Sequence, residues 1–136
     1  MAYSTQRKAP AQPTPTESAE QQALFRWVAW QRGKYPELDL LYHVPNGGSR
    51  SKAEAGRFKA EGVKSGVPDI CLPVARGGYH GLYIELKRQR GSKTSGNQAA
   101  WIKDLSDQGY YTEVCKGWEN AATVILNYLR LEAAEK

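Results

Sequence analysis

Apolar residues at helical spacing mark the first element that the chain predicts. Leu24, Trp27 and Val28 recur three or four positions apart, and the run ends near Gly33. Because residues at this spacing share one side of a helix, the pattern predicts an amphipathic helix that begins at about Glu17.

The pattern beyond the first helix alternates between strand-like and helix-like stretches. Strands are predicted at residues 40–44, 69–75, 82–88 and 110–115, and helices at residues 51–62, at residues 97–108 and from residue 118 onward. The helix at 51–62 has few apolar positions, so we expect it to lie on the surface. The short Gly77-Gly78 link predicts an antiparallel hairpin. The order α-β-α-β-β-α-β-α predicts an α/β fold with a mixed sheet of about four strands flanked by helices.

Length and composition place these elements in one domain. The chain has 136 residues, which is room for a single core. Residues 1–16 are rich in Pro, Ala, Thr and Gln and show no apolar period, so we predict a disordered tail at 1–16 and a folded domain at 17–136. No apolar run approaches the ~20 residues of a membrane span, and no signal-peptide pattern is present. We therefore expect an intracellular, cytoplasmic protein.

The distribution of charged residues along the chain is more informative than the net charge of +5. Residues 47–64 carry five bases and two acids, and residues 85–93 carry four bases and one acid, so each segment has a local charge of +3. Such segments suit a polyanionic backbone, although two solvated faces are the commoner explanation of the charges taken alone. Cys71 and Cys115 lack CxxC spacing, which favours reduced thiols over a zinc site.

The candidate chemistry lies in the predicted hairpin. Asp69 begins one strand, and Glu85 and Lys87 lie on one side of the next, because side chains alternate along a strand. Two carboxylates can hold Mg²⁺ or Mn²⁺, with the Leu86 backbone carbonyl as a further oxygen ligand. Lys87 can then orient a water molecule, help to deprotonate it, or offset developing negative charge. The alternative is an exposed strand with a Glu-x-Lys ion pair.

This block resembles the VRR-NUC (virus-type replication-repair nuclease) branch of the PD-(D/E)xK nuclease superfamily. The matching residues are Glu20-Gln21, His43-Val44-Pro45-Asn46-Gly47-Gly48, Gly62, Gly66-Val67-Pro68-Asp69-Ile70, Tyr83-Ile84-Glu85-Leu86-Lys87 and Asn97-Gln98. The resemblance runs from about residue 17 to residue 130. It implies a restriction-endonuclease-like core and metal-dependent cleavage of DNA.

The resemblance also assigns roles by position. Asp69 and Glu85 would be metal ligands, Lys87 the catalytic lysine, Glu20 a residue reaching the metal shell through water, and Gln98 a neighbour of the active site. Glu20 and Gln98 have alternative readings as polar residues of a helix N-terminus. His43 is expected to shape the site. The residues expected to bind DNA are Asn46, Gly47, Arg50, Lys52, Arg88, Arg90 and Lys93.

We therefore expect a Mg²⁺- or Mn²⁺-dependent endonuclease acting on branched or otherwise structured DNA. Small members of this branch resemble Holliday-junction resolvases, which implies a homodimer, a role in DNA repair and a phage or mobile-element context. No GxxxxGK[ST] phosphate loop is present, so no nucleotide cofactor is expected. The alternatives are a restriction-like or flap nuclease, and a catalytically inactive nucleic-acid-binding module.

Overall fold

The computed structural model describes residues 13–45 and 51–135. Its first helix begins where the sequence predicts it. Helix α1 spans Glu17–Gln31 and buries Leu24 and Val28. Thr16, which falls in the segment predicted to be a tail, caps the helix by accepting a hydrogen bond from the Ala19 N–H at 3.1 Å.

The order of the elements confirms the predicted α/β fold class. After α1 come a 3₁₀ helix at Pro36–Leu40, β1 at Tyr42–His43, α2 at Lys52–Ala60, β2 at Ile70–Leu72, β3 at Leu82–Lys87, α3 at Gly96–Asp107, β4 at Tyr111–Lys116 and α4 at Trp118–Leu129. The strand predicted at residues 40–44 is shorter than expected. Its first residue belongs to the 3₁₀ helix, because Pro36 fixes a helical φ at the start of that turn and the turn buries Leu38.

The four strands form one mixed sheet in the order β1-β2-β3-β4. The first three strands pair antiparallel, with Ile70 opposite Ile84 and Leu72 opposite Leu82, as the predicted hairpin requires. Strand β4 pairs parallel to β3, and the connection between them contains α3. Strand β3 is therefore central, with a hydrogen-bonded neighbour on each side.

The two faces of β3 meet different helices. Leu82, Ile84 and Leu86 join the hydrophobic core, in which Leu24 of α1 and Ile125 of α4 are also fully buried. The opposite face carries Tyr83, Glu85 and Lys87, and side-chain contacts from α3 reach it. The sheet thus separates an apolar core from a polar layer beneath α3.

The exposure of α2 and the burial of the two cysteines can be compared with the predictions. Helix α2 buries none of its residues, which confirms that it lies on the surface. Cys71 and Cys115 are buried and free, and burial raises the pKa of the Cys115 thiol to about 12. Within the described ranges, none of the helices combines the length and apolar character that a membrane crossing needs.

Candidate active site

The central strand brings two ionisable side chains into the protein interior. Glu85 is 2% exposed and Lys87 is 5% exposed. Strand alternation directs both away from the apolar core, and α3 covers the face to which they point. The alternative of an ion pair on an exposed strand therefore does not hold, because both groups are withdrawn from water.

Asp69 is fixed beside them by its backbone and by its side chain. Its Oδ2 accepts a hydrogen bond from the Leu86 N–H at 2.9 Å. Its backbone carbonyl accepts two more, from His43 Nδ1 at 2.9 Å and from the Val44 N–H at 2.7 Å. Because a carbonyl oxygen only accepts, His43 carries its hydrogen on Nδ1. His43 thus shapes the site by holding the Asp69 backbone.

Gln98, at the start of α3, joins the two buried groups of β3. Its Oε1 accepts a hydrogen bond from Lys87 Nζ at 2.9 Å, and its Nε2 donates one to Glu85 Oε1 at 2.7 Å. Lys87 Nζ also lies 3.4 Å from Glu85 Oε1. The sequence-predicted residues Asp69, Glu85, Lys87 and Gln98 therefore converge on one site.

The orientation of the Gln98 amide is set by the helix that carries it. Ser95 caps α3, and the Ser95 N–H donates to Gln98 Oε1 at 2.9 Å while Ser95 Oγ accepts from the Gln98 N–H at 3.2 Å. Since a backbone N–H requires an acceptor, the amide oxygen must face Ser95 and Lys87, and the amide nitrogen must face Glu85. Glu85 Oε1 is thereby occupied. Glu85 Oε2 is buried without a hydrogen-bond partner among the described residues.

The Asp69 carboxylate opposes the ionisation of Glu85. Burial, followed by the nearby Asp69 charge, raises the pKa of Glu85 to about 8, against the opposing effect of Lys87. Burial also raises the pKa of Asp69, although the hydrogen bond from the Leu86 N–H lowers it in part. Without a cation, the pair therefore retains a proton near neutral pH.

The donor set fits a hard divalent cation. Two carboxylates lie side by side, and one of their oxygens is buried with no hydrogen-bond partner in the described ranges, a combination that a cation relieves. Within residues 13–45 and 51–135, no three His, Cys, Asp or Glu side chains gather as a closed metal cage. An open pair of carboxylates suits Mg²⁺ and Mn²⁺, since Mg²⁺ in particular keeps water molecules and substrate phosphate oxygens in its shell.

Glu20 is buried, as the helical pattern predicts, but it faces a different element. Its Oε2 accepts a 2.6 Å hydrogen bond from the Trp118 N–H and its Oε1 accepts a 3.0 Å bond from Gln89 Nε2. The carboxylate thus caps the N-terminus of α4, where Gly117 offers no side chain. Among the described residues, no hydrogen bond or ion pair joins Glu20 to Asp69.

Glu17, an exposed acid in the first turn of α1, makes a minor contribution to the electrostatics of Asp69. Its charge contributes to the raised pKa of Asp69, and its Oε1 accepts a hydrogen bond from Ser92 Oγ at 3.3 Å. The sequence analysis missed Glu17, although an acid in the first turn of a helix is a visible signal. It also missed Ser95, although Ser95 and Gln98 have the spacing of a capping box.

The structure describes four of the seven residues expected to bind DNA. Asn46, Gly47 and Arg50 lie outside the described residues. Lys52 is exposed at the start of α2, and Arg90 and Lys93 are exposed beyond the end of β3. Arg88 is half-buried, and its Nε is buried without a hydrogen-bond partner among the described residues.

Comparisons with known proteins bear on this arrangement. Residues 15–119 match the VRR-NUC domain family. A solved structure described as a VRR_NUC domain protein is 35% identical in sequence, with a TM-score of 0.78 over 91% of this chain and 96% of that chain. No curated protein matches. The chain belongs to the VRR-NUC domain family, which implies a nuclease of the PD-(D/E)xK type.

Proposed function

We propose that the protein is a metal-dependent endonuclease that hydrolyses DNA phosphodiester bonds at the Asp69–Glu85–Lys87 site. The observation that carries this proposal is the buried Glu85 Oε2, which has no hydrogen-bond partner in the described part of the chain and stands beside a second carboxylate. An ammonium group fixed 3.4 Å from the other oxygen of Glu85 completes the arrangement.

Asp69 and Glu85, with the Leu86 carbonyl as a further oxygen, would hold Mg²⁺ or Mn²⁺. A bound ion supplies charge neutralisation and polarisation of the scissile phosphate. Gln98 holds Glu85 Oε1, so the partnerless Oε2 stays available as a ligand. The Leu86 N–H holds Asp69 in the same way.

Lys87 would act on the substrate directly. In the hydrolysis, a water oxygen forms a bond to phosphorus, the bond from phosphorus to one sugar oxygen breaks, and that oxygen gains a proton. Negative charge grows on the phosphoryl oxygens as this occurs, and the Lys87 ammonium can offset it or orient the water. Gln98 Oε1 restrains the ammonium group at 2.9 Å, which limits the motion needed to reach the phosphate.

We further propose that the DNA is branched or structured and that two copies act together. The described part of the chain contains one Asp-Glu-Lys centre, so cutting two opposed strands of a junction requires a second copy. The basic segments at residues 47–64 and 85–93 each carry a local charge of +3, which suits contact with a DNA backbone.

Cleavage of a substrate panel tests the proposal. Four-way junctions, flaps and linear duplexes should be compared in EDTA, Mg²⁺, Mn²⁺ and Ca²⁺. We expect cutting with Mg²⁺ or Mn²⁺, with the junction cut fastest, and DNA binding without efficient cutting in Ca²⁺. Faster cutting of flaps or linear duplex would assign the protein to one of the alternative substrate classes.

Lys87→Met separates a nuclease from an inactive binding module. We expect it to lower the cleavage rate by roughly 10²- to 10⁴-fold while DNA binding stays nearly intact. Lys103→Met is the matched control, because Lys103 is exposed and pairs with Asp107 on the outer part of α3. Equal rates for the Lys87 variant and the parent chain would refute the assigned role.

Sedimentation with and without junction DNA tests the dimer. We expect a two-fold assembly at micromolar concentration when the junction is present. A purely monomeric protein on the junction would contradict the paired-copy proposal and leave the cleavage chemistry standing.

A further inference from the structure

Helix α2 stands apart from the body of the domain. None of its residues is buried, and it does not pack extensively on any other helix or strand of the described chain. A Cβ added at Gly56, in the middle of the helix, would meet nothing within 4 Å. A helix that buries so few residues is stabilised little by packing against the domain core. We therefore look for its role in contacts with another molecule. We call residues 51–64 the α2 arm.

The chain on both sides of the α2 arm is tied to the candidate active site. Before the arm, the Val44 N–H donates to the Asp69 carbonyl at 2.7 Å. After the arm, Ser65 Oγ accepts a hydrogen bond from Asn97 Nδ2 at 3.2 Å, next to Gln98. Gly66 then approaches Asn97 so closely that a Cβ there would lie 2.8 Å from the Asn97 carbonyl carbon. The chain therefore leaves the body of the domain and rejoins it next to the candidate active site.

Two lysines of the helix share a side that carries no acid, whereas Arg57 lies nearer to the acids than to these lysines. Lys52 and Lys59 are seven positions apart and so share one side, roughly 10 Å apart along the axis. Ala55 and Gly56 lie between them on that side. We call these four residues the lysine face. The acids of the arm, Glu54 and Glu61, fall on roughly the opposite side.

We propose that the lysine face of the α2 arm binds the phosphate backbone of a DNA duplex beside the cleavage centre. This inference rests on the proposed function and extends it to a named surface. Its cationic groups, its small residues and the removal of acids to the far side are complementary to a polyanion that approaches closely. The roughly 10 Å between the lysines corresponds to about three base-pair rises of 3.4 Å along the duplex axis.

Salt dependence of binding tests the proposal without cleavage. A fluorescent duplex is titrated in Ca²⁺ by anisotropy over a series of NaCl concentrations. For Lys52→Gln/Lys59→Gln, we expect affinity to fall on the order of tenfold and the slope of log K against log [salt] to lose about 2 in magnitude, because each lost phosphate contact removes about 0.9. Lys52→Arg/Lys59→Arg should keep the parent slope.

A charge-matched control shows whether position matters. Lys34→Gln/Lys103→Gln removes the same charge, but Lys34 follows α1 and Lys103 pairs with Asp107 on α3. We expect this control to keep nearly the parent slope. Equal slopes for the two double glutamine variants would overturn the inference, since only overall charge would then matter.

The remaining outcomes separate this inference from the proposed function. A parent chain that cuts DNA, together with an unchanged slope in Lys52→Gln/Lys59→Gln, would overturn the arm's role alone. The same unchanged slope with loss of a dimer in sedimentation would show that a second copy occupies the lysine face. A parent chain that neither binds nor cuts DNA would overturn both.

Discussion

Replacing Glu85 by glutamine should stabilise the metal-free fold while abolishing cleavage. Glutamine keeps an oxygen that can accept from Gln98 and Lys87. Its amide nitrogen takes the place of Oε2, the atom without a partner, beside the Asp69 carboxylate. The substitution therefore removes a charge that burial and Asp69 both disfavour, and it also removes a proposed cation ligand.

The size of the effect follows from the pKa of Glu85, which is 4.5 ordinarily and about 8 in the fold. At low pH the carboxyl is protonated in the folded and the unfolded chain, so it costs nothing. Between these values the unfolded chain loses the proton and the folded chain keeps it, so the free energy of unfolding falls by roughly 1.4 kcal/mol per pH unit. The loss reaches about 3 kcal/mol at pH 7 and about 5 kcal/mol above pH 8.

Urea unfolding in EDTA at about pH 5.5, 7 and 8.5 measures how the free energy of unfolding changes with pH in the parent and the variant. We expect the Glu85→Gln variant to exceed the parent in stability by a margin that grows with pH. Glu61→Gln, which changes an exposed acid, should track the parent. Added Mg²⁺ should stabilise the parent most at high pH and the variant little. A margin that does not change with pH would refute the reasoning, because the buried charge would then not be its source.

Three further substitutions test the positions around the centre. Gln98→Glu preserves the pattern of a capping box but turns a second carboxylate oxygen toward Glu85. We therefore expect the cleavage rate to fall at least about tenfold, with little loss of helix by circular dichroism. An unchanged cleavage rate would contradict this prediction. Glu20→Ala should lower the free energy of unfolding in urea by about 2 kcal/mol, because the Trp118 N–H loses its hydrogen-bond acceptor. Glu20→Gln should retain most of the stability and of the cleavage rate. Loss of cleavage without loss of stability in Glu20→Gln would instead favour a role in the metal shell. Gly66→Ala, at φ +86° and against Asn97, should lower the unfolding free energy by about 1–3 kcal/mol, and parent-like stability would show that the loop can shift.

Much of the fold was predictable because its signals are local. Strand alternation placed Leu82, Ile84 and Leu86 on one face and Glu85 and Lys87 on the other, and the observed sheet keeps that division. The Gly77-Gly78 turn predicted the antiparallel pairing correctly, but the strand predicted at 69–75 ends at Leu72, so the connection to β3 is longer than expected. The register that brings Asp69 beside Glu85 follows from these two features together.

The burial of the polar face could not be predicted from the same pattern. Period-two alternation shows that Glu85 and Lys87 share a face, but it does not show whether another element covers them. The covering helix α3 lies after β3 in the chain, and its position depends on the parallel pairing of β4. Only that arrangement places Gln98 over Glu85 and gives the carboxylate a pKa of about 8.

The sequence does not show which of the two acids of α1, Glu17 or Glu20, faces the candidate site. Glu17 and Glu20 are three positions apart, so both lie on neighbouring parts of one helix side and either could face the site. What decides between them is the start of α4, almost a hundred residues away. Gly117 supplies no side-chain cap, so the exposed N–H of Trp118 takes the Glu20 carboxylate. The remaining acid, Glu17, then lies where its charge acts on Asp69. A helix terminus without its own cap thus accounts for the position of the Glu20 carboxylate at the start of α4.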